Sequence, residues 1–189
     1  MRILFLGNSF TYFYDLPDMV AEILQAEVKG NLCGGAYLHQ HINPSDELCA
    51  ITNKLLTEEK WDYVVLQDQS QGPITNPEEF AQAVAALSEM IRAAGGTPVL
   101  YETWAYEEGS DTLASTGMTF SEMQQKLSDG YRSAAEANQA LLAPVGQMFA
   151  QARKMAQLYD AADHYHPSLA GSRLAAETIA AAIQTHHLG

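Results

Sequence analysis

The chain begins Met1-Arg2-Ile3-Leu4-Phe5-Leu6-Gly7-Asn8-Ser9, and the step from an apolar run into Gly-Asn-Ser governs the reading of everything downstream. Ile3 to Leu6 leave no polar face for water, so residues 1–6 are expected as a strand buried on both sides, as in parallel sheets covered by helices. Gly7 and Asn8 supply the permissive backbone and local hydrogen bonding of a tight turn, which leaves Ser9 at the carboxyl end of that strand. Ligands bind at that edge in open α/β sheets. Taken alone, Asn8 and Ser9 also suit a turn that merely caps a following helix.

The pattern of strand followed by polar loop recurs. Residues 62–66 (DYVVL) run into QDQSQGP at 67–73, and residues 98–103 deliver Trp104 into a long loop rich in Gly, Ser, Thr and acids. A short apolar stretch at 140–143 reads as a fourth main strand. Between these lie helical patterns. The first is capped by Asp15, has Pro17 in its first turn and Met19, Val20, Ile23 and Leu24 on its apolar face, and ends near Lys29-Gly30, before a short segment at 31–33. Others follow at 45–58, 77–94, 120–138, after Pro144, and over 167–186. Strands alternating with helices along the whole length define an α/β chain, a three-layer αβα sandwich of flavodoxin-like type around a parallel sheet of about four to five strands. No linker or internal repeat interrupts it, so residues 1–189 are expected as one domain.

Composition narrows the partners. With 47% hydrophobic residues in 189 positions, the chain can bury a substantial core. A net charge of -13 argues against DNA, RNA and anionic membranes, whose affinity rests on basic groups. No apolar run approaches a membrane span and no secretory cleavage site follows Arg2, so a cytoplasmic location is expected. Cys33 and Cys49 form no C-x-x-C pair and are expected as free thiols. An acidic single domain suits a monomer or a homodimer.

A partner for Ser9 lies near the far end, in YDAADHYHPSLAGS at 159–172. Pro167 disfavours helical backbone at His166, so Asp163 and His166 are free of the helix that follows. An acid three positions before a histidine on such a loop can fold back onto one ring nitrogen and leave the other to take a proton from a hydroxyl. A serine hydroxyl is a weak nucleophile alone, and an oriented imidazole contributes ~10²- to 10⁴-fold as general base.

Gly7-Asn8-Ser9 after the first strand, a glycine block at Gly34-Gly35, a polar block after residues 62–66, and Asp163-x-x-His166-Pro167 before the last helix appear in that order. Together they resemble the marks of the SGNH, or GDSL-type, hydrolases, over nearly the whole chain. The resemblance implies a Ser–His–Asp triad of Ser9, His166 and Asp163, no cofactor, and hydrolysis of small esters, among them O-acetyl groups on carbohydrate. It also implies an oxyanion hole built from three blocks: the N–H of Ser9, an N–H of the glycine block, assigned to Gly35, and a side-chain amide. The family's usual G-x-N-D is absent here. The loop QDQSQGP resembles a branch of sugar O-acetylesterases in which glutamine directly follows the strand, so the third donor is expected at Gln67, with Gln69 as second choice.

Two other readings compete. His39-x-His41 and His164-x-His166 are both H-x-H, a spacing able to bind zinc with Asp163 as a further ligand. The missing G-x-N-D would also suit a non-catalytic carbohydrate-binding module on the same fold. The aromatic residues Phe10, Tyr12, Phe13 and Tyr14 after the nucleophile, with Trp104 and Tyr106 after the third clear strand, are placed to line a sugar or acyl pocket, and Trp104 and Gln69 are the candidate substrate contacts.

Overall fold

A computed structural model describes residues 1–188, and within them the alternation becomes five strands and nine helices. In chain order these are β1 (Arg2–Gly7), α1 (Ser9–Tyr12), α2 (Leu16–Leu24), β2 (Glu27–Leu32), α3 (Glu47–Glu58), β3 (Tyr63–Leu66), α4 (Gly72–Thr75), α5 (Pro77–Ala93), β4 (Thr97–Tyr101), α6 (Asp111–Ala114), α7 (Phe120–Ala137), β5 (Leu141–Ala143), α8 (Val145–Ala152) and α9 (Leu169–His187). The sheet is parallel throughout, in the order β2-β1-β3-β4-β5. That is the flavodoxin-like order, whose ligand crevice opens where β1 and β3 diverge. Leu6 pairs with Leu66, so both strands end level and their loops meet.

Alternation along each strand sorts the core into two layers. Ile3, Phe5, Tyr63, Val65, Val99 and Tyr101 face α1, α2, α8 and α9, whereas Leu4, Leu6, Val64, Leu66 and Leu100 face α3, α5 and α7. Each such side chain contributes about 1.5–3 kcal/mol of burial. That load on both faces is why residues 3–6 show no polar alternation.

Three expectations about the elements change. The first long helix ends at Leu24 rather than near Gly30, because Gln25 adopts left-handed backbone at φ 51° and the chain turns into β2. Glu27, Lys29 and Gly30 are exposed on this edge strand, so its sequence lacks the apolar run that marks a central one. Asp15 precedes α2 but sits at φ 55° and makes no side-chain cap. Pro167 pairs with Tyr159 in an antiparallel bridge, and Ser168 caps α9 by accepting from the N–H of Gly171. Cys33 is exposed and Cys49 buried, both as free thiols. Among the described residues no helix is long and apolar enough to cross a membrane.

Candidate active site

Asn8 sets Ser9 in place. Its side-chain oxygen accepts from the N–H of Phe10 at 3.1 Å, which caps α1 and makes Ser9 the first helical residue. Its Nδ2 donates to the carbonyls of Ala36 at 2.9 Å and Asp68 at 3.2 Å, tying the β1 loop to the two loops beside it. A Cβ at Gly7 would lie 2.8 Å from Gln67 Oε1 and 2.9 Å from Thr11 Oγ1, so the passage of Gln67 leaves room for glycine alone.

The loop before α9 brings its two groups to the same place. Ser9 Oγ lies 2.8 Å from His166 Nε2, and His166 Nδ1 lies 2.6 Å from Asp163 Oδ2. One tautomer satisfies both contacts, with the proton on Nδ1 donated to the carboxylate and Nε2 accepting from the serine. The other oxygen of Asp163 accepts the peptide N–H groups of Tyr165 and His166 at 3.1 and 2.9 Å. Burial pushes this carboxyl up, but those bonds and the imidazole outweigh it and hold the group below the usual carboxylate range. Phe13 stacks on the His166 ring at 4.4 Å and 7° and fixes its plane. The series can deprotonate a hydroxyl and hold the imidazolium that results.

A cavity of about 340 Å³ opens beside Ser9 and His166, with Gly34, Gly35, Gln69, Ser70, Tyr12 and Tyr165 on its walls. A larger one of about 520 Å³, between β5 and α9, is apolar and has Glu177 as the sole titratable side chain in its lining, so it offers no nucleophile and base.

Three site expectations need correction or reassignment. Gln67 is fully buried. Its Oε1 accepts from the N–H of Asn8 at 3.0 Å and from Thr11 Oγ1 at 2.8 Å, while Nε2 donates to Asn8 Oδ1 at 2.9 Å and to the Asp68 carbonyl. Both amide hydrogens therefore serve the interior, and Gln67 is a brace between β1 and β3 rather than an oxyanion donor. Gln69 is the glutamine that reaches the cavity, with Oε1 held by the N–H of Gln71 at 2.8 Å and Nε2 donating to Ser70 Oγ at 3.0 Å. One of its hydrogens stays available. Trp104 is likewise buried, stacked between Phe10 at 4.4 Å and Phe149 at 4.0 Å with its Nε1 on the Tyr165 carbonyl at 2.9 Å. It forms the floor under the site and is not among the residues that line the cavity.

The H-x-H pairs also separate. His41 is buried against Thr52 at 2.9 Å, and burial lowers it to about 4. His39 faces Glu79 at 3.8 Å, and His164 faces Glu107 at 2.6 Å. Among the described residues no group of three or more His, Cys, Asp or Glu side chains is placed to hold a metal ion. Phe13, expected only as a pocket wall, is also the plate behind His166, and one residue went unnoticed in the sequence: Asp68, an acid set in the middle of a Gln/Ser loop directly after a buried strand.

Fold and site together define a serine hydrolase on a flavodoxin-like sandwich. Comparison with known proteins narrows the class. No protein-family profile and no curated protein matches the chain. Among solved structures, a protein of Slackia heliotrinireducens described as an SGNH hydrolase superposes at TM-score 0.91 with 44% identity, over 97% of this chain and 98% of that one. A protein of Parabacteroides merdae described as a GDSL-like lipase gives TM-score 0.71 at 16% identity, over 97% and 95% of the two chains. An acetylxylan esterase from Geobacillus stearothermophilus gives 0.70 at 16%, over 96% and 93%. The last two share the fold. The first carries the family: the chain belongs to the SGNH hydrolases.

Proposed function

We propose that this chain is a serine esterase that removes small acyl groups, O-acetyl above all, from carbohydrate through an acyl-serine intermediate. The observation that carries the reading is the unbroken series from Asp163 through His166 to Ser9 at the wall of the cavity. Ser9 Oγ attacks the ester carbonyl as His166 Nε2 takes its proton, and the imidazolium returns that proton to the departing alcohol as the C–O bond breaks. Water then attacks the acyl-serine by the same exchange, releasing the acid and restoring Ser9.

Three donors serve the oxyanion. Ser9 opens α1, where N–H groups lack intrahelical acceptors. Gly35 lines the cavity at φ 70°, with no atom within 4 Å of where a Cβ would stand. Gln69 Nε2 is the third. Replacing Gln69 by Ala is expected to lower kcat by ~10²-fold, roughly 3 kcal/mol, with KM changed much less, because the charge it meets exists in the tetrahedral state. A wild-type kcat in Gln69→Ala would leave the hole to two backbone donors.

A neutral alcohol fits this pocket. Its lining holds no Lys or Arg to meet a phosphate or carboxylate, and the net charge of -13 repels anions. Tyr12 and Tyr14, 42% and 44% exposed just after the nucleophile, offer flat faces and hydroxyls to a sugar ring. The structural likeness to an acetylxylan esterase agrees with that choice. A fluorophosphonate probe tests the reading: labelling of Ser9 is expected, and His166→Ala should abolish it, with chelators without effect. Binding of acetylated oligosaccharide without labelling or turnover would replace the esterase by a non-catalytic carbohydrate-binding module.

A further inference from the structure

Asp68, between the buried Gln67 and the cavity-lining Gln69, is 2% exposed and touches all three loops assigned oxyanion donors above. Its Oδ1 accepts the N–H of Leu38 at 2.7 Å, at the end of the loop that carries Gly35. Its carbonyl accepts Asn8 Nδ2 at 3.2 Å, one residue before Ser9. Its own N–H donates to the hydroxyl of the buried Tyr131 at 3.2 Å, which anchors it to α7. The space around Oδ2 is closed, since a Cβ at Gly72 would lie 1.8 Å from it and glycine alone fits. Gly34 and Gly35 are exposed on the loop that the Leu38 bond holds down.

We propose that Asp68 is a positioning residue whose carboxylate sets the Gly35 peptide against Ser9 and Gln69, so that ester hydrolysis requires Asp68 ionised. The inference rests on the esterase reading. An N–H bond to a carboxylate is roughly twice as strong as one to a neutral acceptor. A proton on Asp68 therefore slackens the hold on Leu38. The charged groups facing the carboxyl are His39, on the turn after Leu38, which favours ionisation, and Glu79 of α5, which opposes it. Burial is the larger influence and pushes Asp68 up to about 6.

The sign for stability follows. The folded protein binds this proton more tightly than the unfolded chain, so stability falls as pH rises from about 4 through about 6, and the ionised group is a burden at neutral pH. Asp68→Asn retains an oxygen for Leu38 and removes the buried charge.

The test is the pH dependence of kcat/KM for p-nitrophenyl acetate. In the wild type the logarithmic acid limb should gain one unit of slope below about pH 6, approaching two, as Asp68 takes up its proton. Asp68→Asn should restore a slope of one, lower kcat about tenfold at pH 7.5 with KM within about threefold, and keep or raise Tm. A slope of one in the wild type, or wild-type kcat in the variant, overturns the proposal. A second readout needs neither turnover nor a folded Asp68→Asn: in Ser9→Ala, the Gly35 amide resonance should titrate with the midpoint of the Asp68 carboxyl carbon. If the protein hydrolyses no ester, the esterase reading fails while this titration still decides Asp68. A Gly35 amide that ignores the Asp68 ionisation overturns it.

Discussion

Ser9→Ala is expected to lower kcat for an activated acetyl ester by on the order of 10⁴-fold or more and to leave the thermal melt unchanged. The effect is large because, in the proposed reaction, the serine oxygen forms the covalent bond, and no other hydroxyl sits within hydrogen-bond reach of His166 Nε2 in the described contacts. The fold survives because the hydroxyl binds nothing but that imidazole, on a cavity wall that water can enter. The α1 cap belongs to Asn8 and the helix keeps it. Steady-state hydrolysis of p-nitrophenyl acetate with the purified variant checks this, and retention of wild-type turnover would remove Ser9 as nucleophile.

Asp163→Asn carries the second large effect, on the order of 10⁴-fold in kcat, from the wrong tautomer of the base. The asparagine oxygen can keep the peptide N–H groups of Tyr165 and His166, so the loop retains its shape. Its amide, however, turns a donor toward His166 Nδ1 where an acceptor stood at 2.6 Å. The ring then takes its proton on Nε2, donates to Ser9 and cannot deprotonate it. KM should move little. Stability gives an independent readout, because Asp163 is held below the usual carboxylate range in the folded protein. Its contribution is present above that range and lost as pH falls through the folded value. Melts taken downward from neutral pH should therefore decline more steeply in the wild type than in Asp163→Asn. A variant with near wild-type kcat would reduce Asp163 to a loop brace.

The two glutamines of the β3 loop mark the limit of sequence reading. Gln67 and Gln69 have the same chemistry, and adjacency to the strand favoured Gln67. The parallel register of β1 and β3 turns Gln67 inward, where Asn8 and Thr11 consume its amide, and the next bend carries Gln69 to the cavity. The same holds for Trp104, whose position after β4 suggested substrate until Phe10 and Phe149 closed over both of its faces.

What the sequence determined by itself is what depends on neighbours along the chain. Buried strands announced themselves by unbroken apolar runs, helices by their period, and the Asp163–His166 pair by an acid three residues before a histidine that proline keeps out of the helix. Edge strand β2 escaped because Glu27, Lys29 and Gly30 face solvent and leave no run to read. The meeting of Ser9 with His166, residues 157 positions apart, had to wait for the sheet to close. So did the reach of each amide, the burial of Asp68 and the tryptophan's place in the floor. Those are properties of space, since a side chain's direction is set by the strand register and by the atoms packed against it, and such partners lie far away in the sequence.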